Sequence, residues 1–343
     1  MPSAAYAELQ VTSNFSFLRG ASHPDELMVA AGALGLAAVA VTDRNSVAGI
    51  VRAHVAAKRI GVRLVIGCRL DLTEGEEHSL LCFPADRAAY GRMTQMLTAG
   101  KRRAKKGQCH LGWLDVVTHG EGQVFVALVP DDWQADDATL PAFLRRLGAA
   151  FPGRAYLAAS FRYGGDDRTR IAELAALAEA CGTPLVATND VHYHVPARRP
   201  LQDVLTCIRE GCTVDEAGFR LSAHAERHMK PPAEMARLFE GHEEALARTV
   251  EIAERCRFSL DELRYEYPEE TSGGRDPMVE LEAQVAAGAH RRYPEGVPPE
   301  VEKQIRHELD LIRRLDYPRY FLTVADIVRF ARGEGILCQG RGS

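Results

Sequence analysis

A chain of 343 residues that is 46% hydrophobic and 26% charged has an ordinary globular composition, and its length suits two domains better than one. Its formal charge of −5 excludes a nucleic-acid binder that works by bulk electrostatics, so any contact with phosphate has to be local. Eight cysteines without a C-x-x-C pair, no apolar leader and no apolar run of membrane-spanning length predict a cytoplasmic protein with free thiols and no membrane contact.

Ala7–Thr12 alternates weakly and predicts a first strand. Ser22 is the predicted N-cap of a helix that opens with His23, Pro24, Asp25 and Glu26 and runs to about Leu34, where Gly35 ends it. Ala37–Thr42 reads as a buried second strand, with Asp43, Arg44, Asn45 and Ser46 just past its end. A helix over Val47–Arg59 leads to a third strand, Arg63–Leu70, then a fourth, His78–Phe83, and a helix over Asp86–Ala99. Three more strands, Val124–Val129, Tyr156–Ser160 and Leu185–Thr188, are separated by helices over Leu140–Ala150 and Arg168–Cys181. Short buried strands alternating with helices predict a mostly parallel sheet covered on both faces, and seven of them suit a barrel better than an open sheet.

Between the fourth and fifth strands, Lys101, Arg102, Arg103, Lys105 and Lys106 form a strong run of like charge. Such a run fits a solvated loop, and it also fits a contact with a phosphate backbone or a partner protein. The seventh strand ends on Asn189, Asp190, His192 and His194, where a parallel α/β architecture keeps its chemistry. Asp and His one residue apart serve as metal ligands or an acid/base pair, and equally as a helix cap and ordinary loop residues. The spacing leaves both open.

From Pro200 helical patterns take over: Leu201–Arg209, Ala233–Phe239, Glu243–Arg255, Met278–Tyr293, Glu300–Leu315 and Phe321–Arg332. Tyr267–Pro277 has the composition of a linker. The predicted organisation is a barrel over 1–200 with a helical extension over 201–266, a linker at 267–277, and a second domain over 278–343.

In this order, YAELQVTSNFSFLRGASHPDEL, AVAVTDRNSVAG, VIGCRLDL, VATNDVHYH and PRYFLTVADIVRFARGEGILCQGRGS resemble the amino-terminal part of the bacterial C-family DNA polymerase alpha subunits. SNFSFLRGASHP, TDRNS and GKRRAKKGQCHL are most like the error-prone, damage-inducible branch. The resemblance covers essentially the whole chain. It implies an α/β fold: a polymerase-and-histidinol-phosphatase (PHP) domain, which is a distorted (β/α)7 barrel, followed by a mainly helical segment that begins the polymerase palm.

Active PHP domains hold a metal cluster at their strand ends and hydrolyse phosphoesters. Carried onto this chain, the His-x-His positions of the first strand are Gln10 and Thr12, and the carboxylate before Gly20 is Arg19. The histidine after Thr42 and Asp43 is Arg44, and the glutamate after Gly67 and Cys68 is Arg69. His78, Asp190 and His192 keep ligand types. Arginine stays protonated at neutral pH and has no lone pair for a cation, so the resemblance implies a vestigial cavity without metal or phosphoesterase activity. Buried carboxylates left without metals need new partners. At least one of Arg19, Arg44 and Arg69 is therefore expected to bond Asp190 or Asp43.

Gly340, Arg341, Gly342 and Ser343 resemble the palm's glycine-rich element that approaches nucleotide phosphates, although this tetrapeptide alone also suits a flexible loop. The palm carboxylates that hold catalytic magnesium in the family are expected beyond Ser343, so neither catalytic residues nor a cofactor are expected within the chain. The resemblance implies DNA, deoxynucleotides, the sliding clamp and other mutasome proteins as partners of the longer polymerase, with the PHP domain as a support and docking surface. Two rival readings are a metal-dependent phosphoesterase or 3′–5′ exonuclease, and a protein-interaction module that uses the basic run.

Overall fold

Short runs of β-branched and small apolar residues build the strands β1 (Ala7–Val11), β2 (Ala38–Val41), β3 (Leu64–Ile66), β4 (Cys68–Asp71), β5 (Ser79–Pro84), β6 (Gln123–Leu128), β7 (Ala155–Ser160) and β8 (Leu185–Thr188). They belong to a computed structural model that describes residues 5–73, 78–263 and 274–339. The expected third strand is broken in two at Gly67, where a β-carbon would lie 2.7 Å from the Phe83 ring and 3.1 Å from Thr42 Cγ2. The chain leaves one sheet there and enters another. Strands β1, β2 and β3 pair in parallel, whereas β4 to β8 form a second, mixed sheet. In that sheet β5 runs antiparallel to both β4 and β6, and β6, β7 and β8 are parallel. The connection from Asp71 to Ser79 is shorter than the dozen or so residues a parallel crossover needs, so β5 can only return antiparallel.

Two seams close the barrel. At one, Thr12 N donates to Val191 O (2.8 Å) and Val191 N to Gln10 O (2.9 Å). At the other, Asn45 N donates to Arg69 O (2.7 Å) and Arg69 N to Asp43 O (3.1 Å). Helices α1 (Pro24–Leu34), α2 (Ile50–Ile60), α3 (Arg87–Arg103), α4 (Trp113–His119), α5 (Thr139–Ala150) and α6 (Asp167–Cys181) alternate with the strands, followed by α7 (Arg199–Glu210), α8 (Pro232–Leu238) and α9 (Glu243–Arg255). Ala7, Leu9, Ala40, Val65, Leu81, Phe83, Val126 and Val186 form one apolar cluster with Ile252 and Ala253 of α9 and with Cys256 just after it. Ala7 N donates to Thr249 Oγ1 (3.0 Å) and Arg248 donates to Leu185 O (3.1 Å), so α9 meets the amino ends of β1 and β8. That plug leaves the carboxyl ends open. The helical extension is thus part of the barrel's core, and the compact unit it completes spans Met1–Leu263.

Two local expectations are corrected. Ser22 does not cap α1: His23 N is held by Glu26 Oε2 at 2.9 Å and Pro24 takes the first helical position, where its missing N–H costs nothing. The Ser22 hydroxyl instead meets His194 Nδ1 at 2.7 Å. Helix α3 runs past Ala99 through Lys101, Arg102 and Arg103, so the first half of the basic run is a last helical turn, where cations suit the negative end of the helix dipole. Helix α4 was not anticipated.

The second unit, Arg264–Ser343, contains α10 (Pro277–Arg292), α11 (Pro299–Leu315) and α12 (Pro318–Gly333). Each begins on a proline, and α12 starts a turn before the expected Phe321. Helices α10 and α12 pack against each other, Leu281 of one and Leu322 of the other are buried, and Arg329 donates to Gln284 Oε1 at 2.9 Å. Gly340, Arg341, Gly342 and Ser343 lie outside the described residues, as does 267–273 of the expected linker. Among the described residues no helix is long and apolar enough to cross a membrane.

Candidate functional site

A cavity of about 340 Å³ opens at the carboxyl ends of the strands. It gathers Gln10, Arg44, Arg69, Asp190 and His192 from the expected site, together with Arg162, Arg170, His224 and Arg227, which were not anticipated. Val129 and Pro130, whose side chains offer a metal no ligand, also line it. Thr12, Arg19, Asp43 and His78 do not. Thr12 is buried in the first seam, Arg19 lines a neighbouring groove, and His78 stacks on Phe143 of α5 with ring centroids 4.2 Å apart.

Asp190 stands two residues past the end of β8 with a left-handed backbone, φ 45°, a conformation that asparagine and aspartate tolerate better than most. One carboxylate oxygen accepts from Gln10 Nε2 at 2.8 Å, and the other pairs with Arg227 at 2.9 Å. Arg227 also reaches His192 Nε2 at 3.2 Å. Burial works against the Asp190 charge, but Arg227 and His192 hold its carboxyl well below the usual range. Burial lowers the His192 pKa, so the ring is neutral and its Nε2 accepts from the guanidinium.

Asp43 is treated differently. Its oxygens accept from Ser13 N (2.9 Å), Ser13 Oγ (2.7 Å) and Ser16 Oγ (2.6 Å). Burial raises its pKa, and these hydrogen bonds only partly offset that. The expected bond from Arg19, Arg44 or Arg69 to Asp190 or Asp43 is therefore corrected: Arg44 (3.0 Å) and Arg69 (2.7 Å) both pair with Asp71, and Arg227 takes Asp190. Arg69 and Asp71 are alternate residues of β4 and so share a face, which puts the nearer carboxylate within immediate reach. Burial and the adjacent Arg69 pull Arg44 down to about 10, still protonated at neutral pH.

Behind Asp190 lies Glu8, only 1% exposed, which accepts from Gln10 N (2.9 Å), Tyr6 OH (2.8 Å) and Asn189 N (3.4 Å). Burial pushes its carboxyl up to about 7.

This donor set does not fit a hydrolytic metal cluster. Asp190 is taken by Arg227 and Gln10, Asp43 is enclosed by serines, and His78 is stacked elsewhere. Among the described residues no three His, Cys, Asp or Glu side chains are grouped so that they could hold a metal ion.

Fold and mouth together define a PHP-type barrel whose mouth is lined by ion pairs and hydrogen bonds. Residues 8–136 match the PHP domain family, and residues 279–343 match the bacterial DNA polymerase III alpha NTPase domain family. Over 98% of its length the chain is 54% identical to the error-prone DNA polymerase of Caulobacter vibrioides, and over 100% it is 56% identical to error-prone DNA polymerase 1 of Agrobacterium fabrum. It spans 31% of the length of each. Among solved structures, an amidohydrolase from Chromobacterium violaceum with bound sulfate and no metal aligns at a TM-score of 0.41 and 20% identity, covering 55% of this chain and 88% of that one. The chain carries a PHP domain and the start of a polymerase III alpha region, and along its length it is similar to proteins named error-prone DNA polymerases.

Proposed function

We propose that this chain is part of a template-directed DNA polymerase of the translesion, mutagenic type, in which the PHP unit supports the polymerase and hydrolyses nothing. The observation that carries the reading is identity above one half, along the whole chain, to proteins named error-prone DNA polymerases. On this reading DNA and deoxynucleotides are handled by regions outside the chain, with magnesium held by palm carboxylates that also lie outside it. The sliding clamp and other mutasome proteins would likewise meet those regions, and the PHP surface would serve for docking. Free cysteines among the described residues support a reducing, cytoplasmic setting.

The metal-free assignment rests on chemistry: arginines at Arg44 and Arg69 repel a cation, and the remaining carboxylates already have partners. The test compares the 343-residue chain with the longer polymerase. Primer extension with magnesium is expected from the longer protein only, and hydrolysis of p-nitrophenyl phosphate with manganese from neither. No extension by the longer protein would sink the polymerase reading. Hydrolysis above a mock-purified control, or stoichiometric zinc or manganese by elemental analysis, would restore the phosphoesterase.

A further inference from the structure

Beside the barrel mouth, sharing Arg44 with it, runs a second groove of roughly 830 Å³ between the loop at residues 13–20 and the end of α3 with the turn that follows. Arg19 and Arg44 line one side and Lys101, Lys105 and Lys106 the other. Asp71 is the sole carboxylate among the described lining residues, and Arg44 and Arg69 already engage it. Among the described residues, Arg19, Lys101, Lys105 and Lys106 make no ion pair. Among the described residues, a chain of formal charge −5 thus gathers several cations without ion-pair partners in one concave track.

An aromatic ring stands in the same groove. Phe17 is 82% exposed, and the loop that carries it is fixed from several directions. Asp43 holds Ser13 and Ser16, Gln202 Nε2 donates to Arg19 O (2.9 Å), and Arg209 donates to Leu18 O (3.0 Å). Gly20 closes the loop, because a β-carbon there would come within 2.4 Å of Ser13 O. The ring is presented to solvent by a rigid loop, and the carboxylate that does most of the fixing is Asp43.

Cations along a channel with an exposed aromatic face match a strand that alternates phosphates with unstacked bases. A duplex hides its base faces, and an acidic peptide gives the ring nothing to stack on. We propose that this groove binds single-stranded DNA, with Lys101, Lys105, Lys106, Arg19 and Arg44 on the phosphates and Phe17 against a base. That the strand is DNA rather than RNA rests on the polymerase reading; the groove itself does not.

The experiment is fluorescence anisotropy of the 343-residue chain with labelled oligothymidylate of about 20 nucleotides, long enough for one such site. Binding should weaken with salt. Replacing Lys101, Lys105 and Lys106 by Gln together should lower affinity about tenfold or more and reduce the slope of log K against log salt by about 2. Phe17→Ala should cost about fivefold or more with the salt slope unchanged. Replacing Arg291, Arg292 and Lys303 by Gln, an equal charge change outside the groove, should do neither. No binding by the parent chain overturns the proposal, as does an unchanged triple variant. An inert Phe17→Ala overturns the single-strand assignment, and displacement by polyglutamate ahead of DNA replaces it with an acidic protein segment. Equal binding of oligouridylate overturns the choice of DNA and leaves the polymerase reading to stand on primer extension.

Discussion

At the end of β2 and just past the end of β8 the barrel keeps two acidic side chains, Asp43 and Asp190, and accommodates them by opposite means. Asp43, 1% exposed, meets only neutral donors from Ser13 and Ser16, and its pKa rises because burial prevails over them. Asp190 meets the guanidinium of Arg227, and its pKa falls well below the ordinary value despite burial. Neutral hydrogen bonds soften the desolvation of a carboxylate, whereas a cation 2.9 Å away reverses it. The pH consequences are also opposite. The stability that Asp190 contributes is present above its unfolded pKa near 3.8 and is lost as pH falls through its depressed folded value. The contribution from Asp43 is complete below 3.8 and is lost as pH rises through its raised folded value.

The largest effect that would sharpen this contrast is expected at Arg227. Arg227→Ala leaves Asp190 with Gln10 and His192 alone and should cost about 3 kcal/mol by urea unfolding at pH 7, the low end of the range for a broken buried pair because both partners keep some exposure. Adding Asp190→Asn should recover most of that. A loss under about 1 kcal/mol would make Asp190 no different from a surface carboxylate.

Next comes Glu8, beside Asp190 and, like Asp43, met by neutral donors. A rise from 4.5 to about 7 corresponds to about 3 kcal/mol held against the ionised form. The contribution from Glu8 is complete below 4.5 and lost as pH rises through about 7, so Glu8→Gln should match the parent near pH 4 and exceed it by up to about 3 kcal/mol above pH 8. A difference that stays flat with pH would show that Glu8 does not titrate in this range. The smallest effect is expected at Ser16→Ala, which removes the 2.6 Å donor to Asp43 and should cost about 1–2 kcal/mol in thermal or urea unfolding. An effect as large as that of Arg227→Ala would erase the distinction between the two carboxylates.

Much of this was legible from the residues alone. Buried strands are continuous apolar runs, so the β–α rhythm could be read directly; strand-end position pointed to Asp190 and His192, and the family resemblance to Gln10, Arg44 and Arg69, which the mouth gathers with them. The break at Gly67 was not legible, because what forces it is the Phe83 ring arriving from another strand. Gly100 likewise lies inside α3, since a β-carbon there would sit 2.6 Å from Leu111, a packing reason that composition does not disclose. Asp71 had a local signal in its two-residue spacing from Arg69 on one strand. Arg227 had none: it comes from a loop 35 residues beyond His192, and only the tertiary fold delivers it to Asp190.

The seams give the barrel the character of a belt with two buckles. The three-strand and five-strand panels come from successive stretches of chain and can assemble from nearer contacts, whereas Gln10 and Asp190, bonded across one buckle, are 180 residues apart. Closing so long a loop is entropically late, so that buckle should be among the last parts to fasten during folding and among the first to slip. Amide protons of Thr12 and Val191 should then exchange with deuterium ahead of those inside either panel, and Asp190→Asn should speed unfolding more than it slows refolding. The strand ends are fastened by Gln10 with Asp190 and by Arg44 with Asp71.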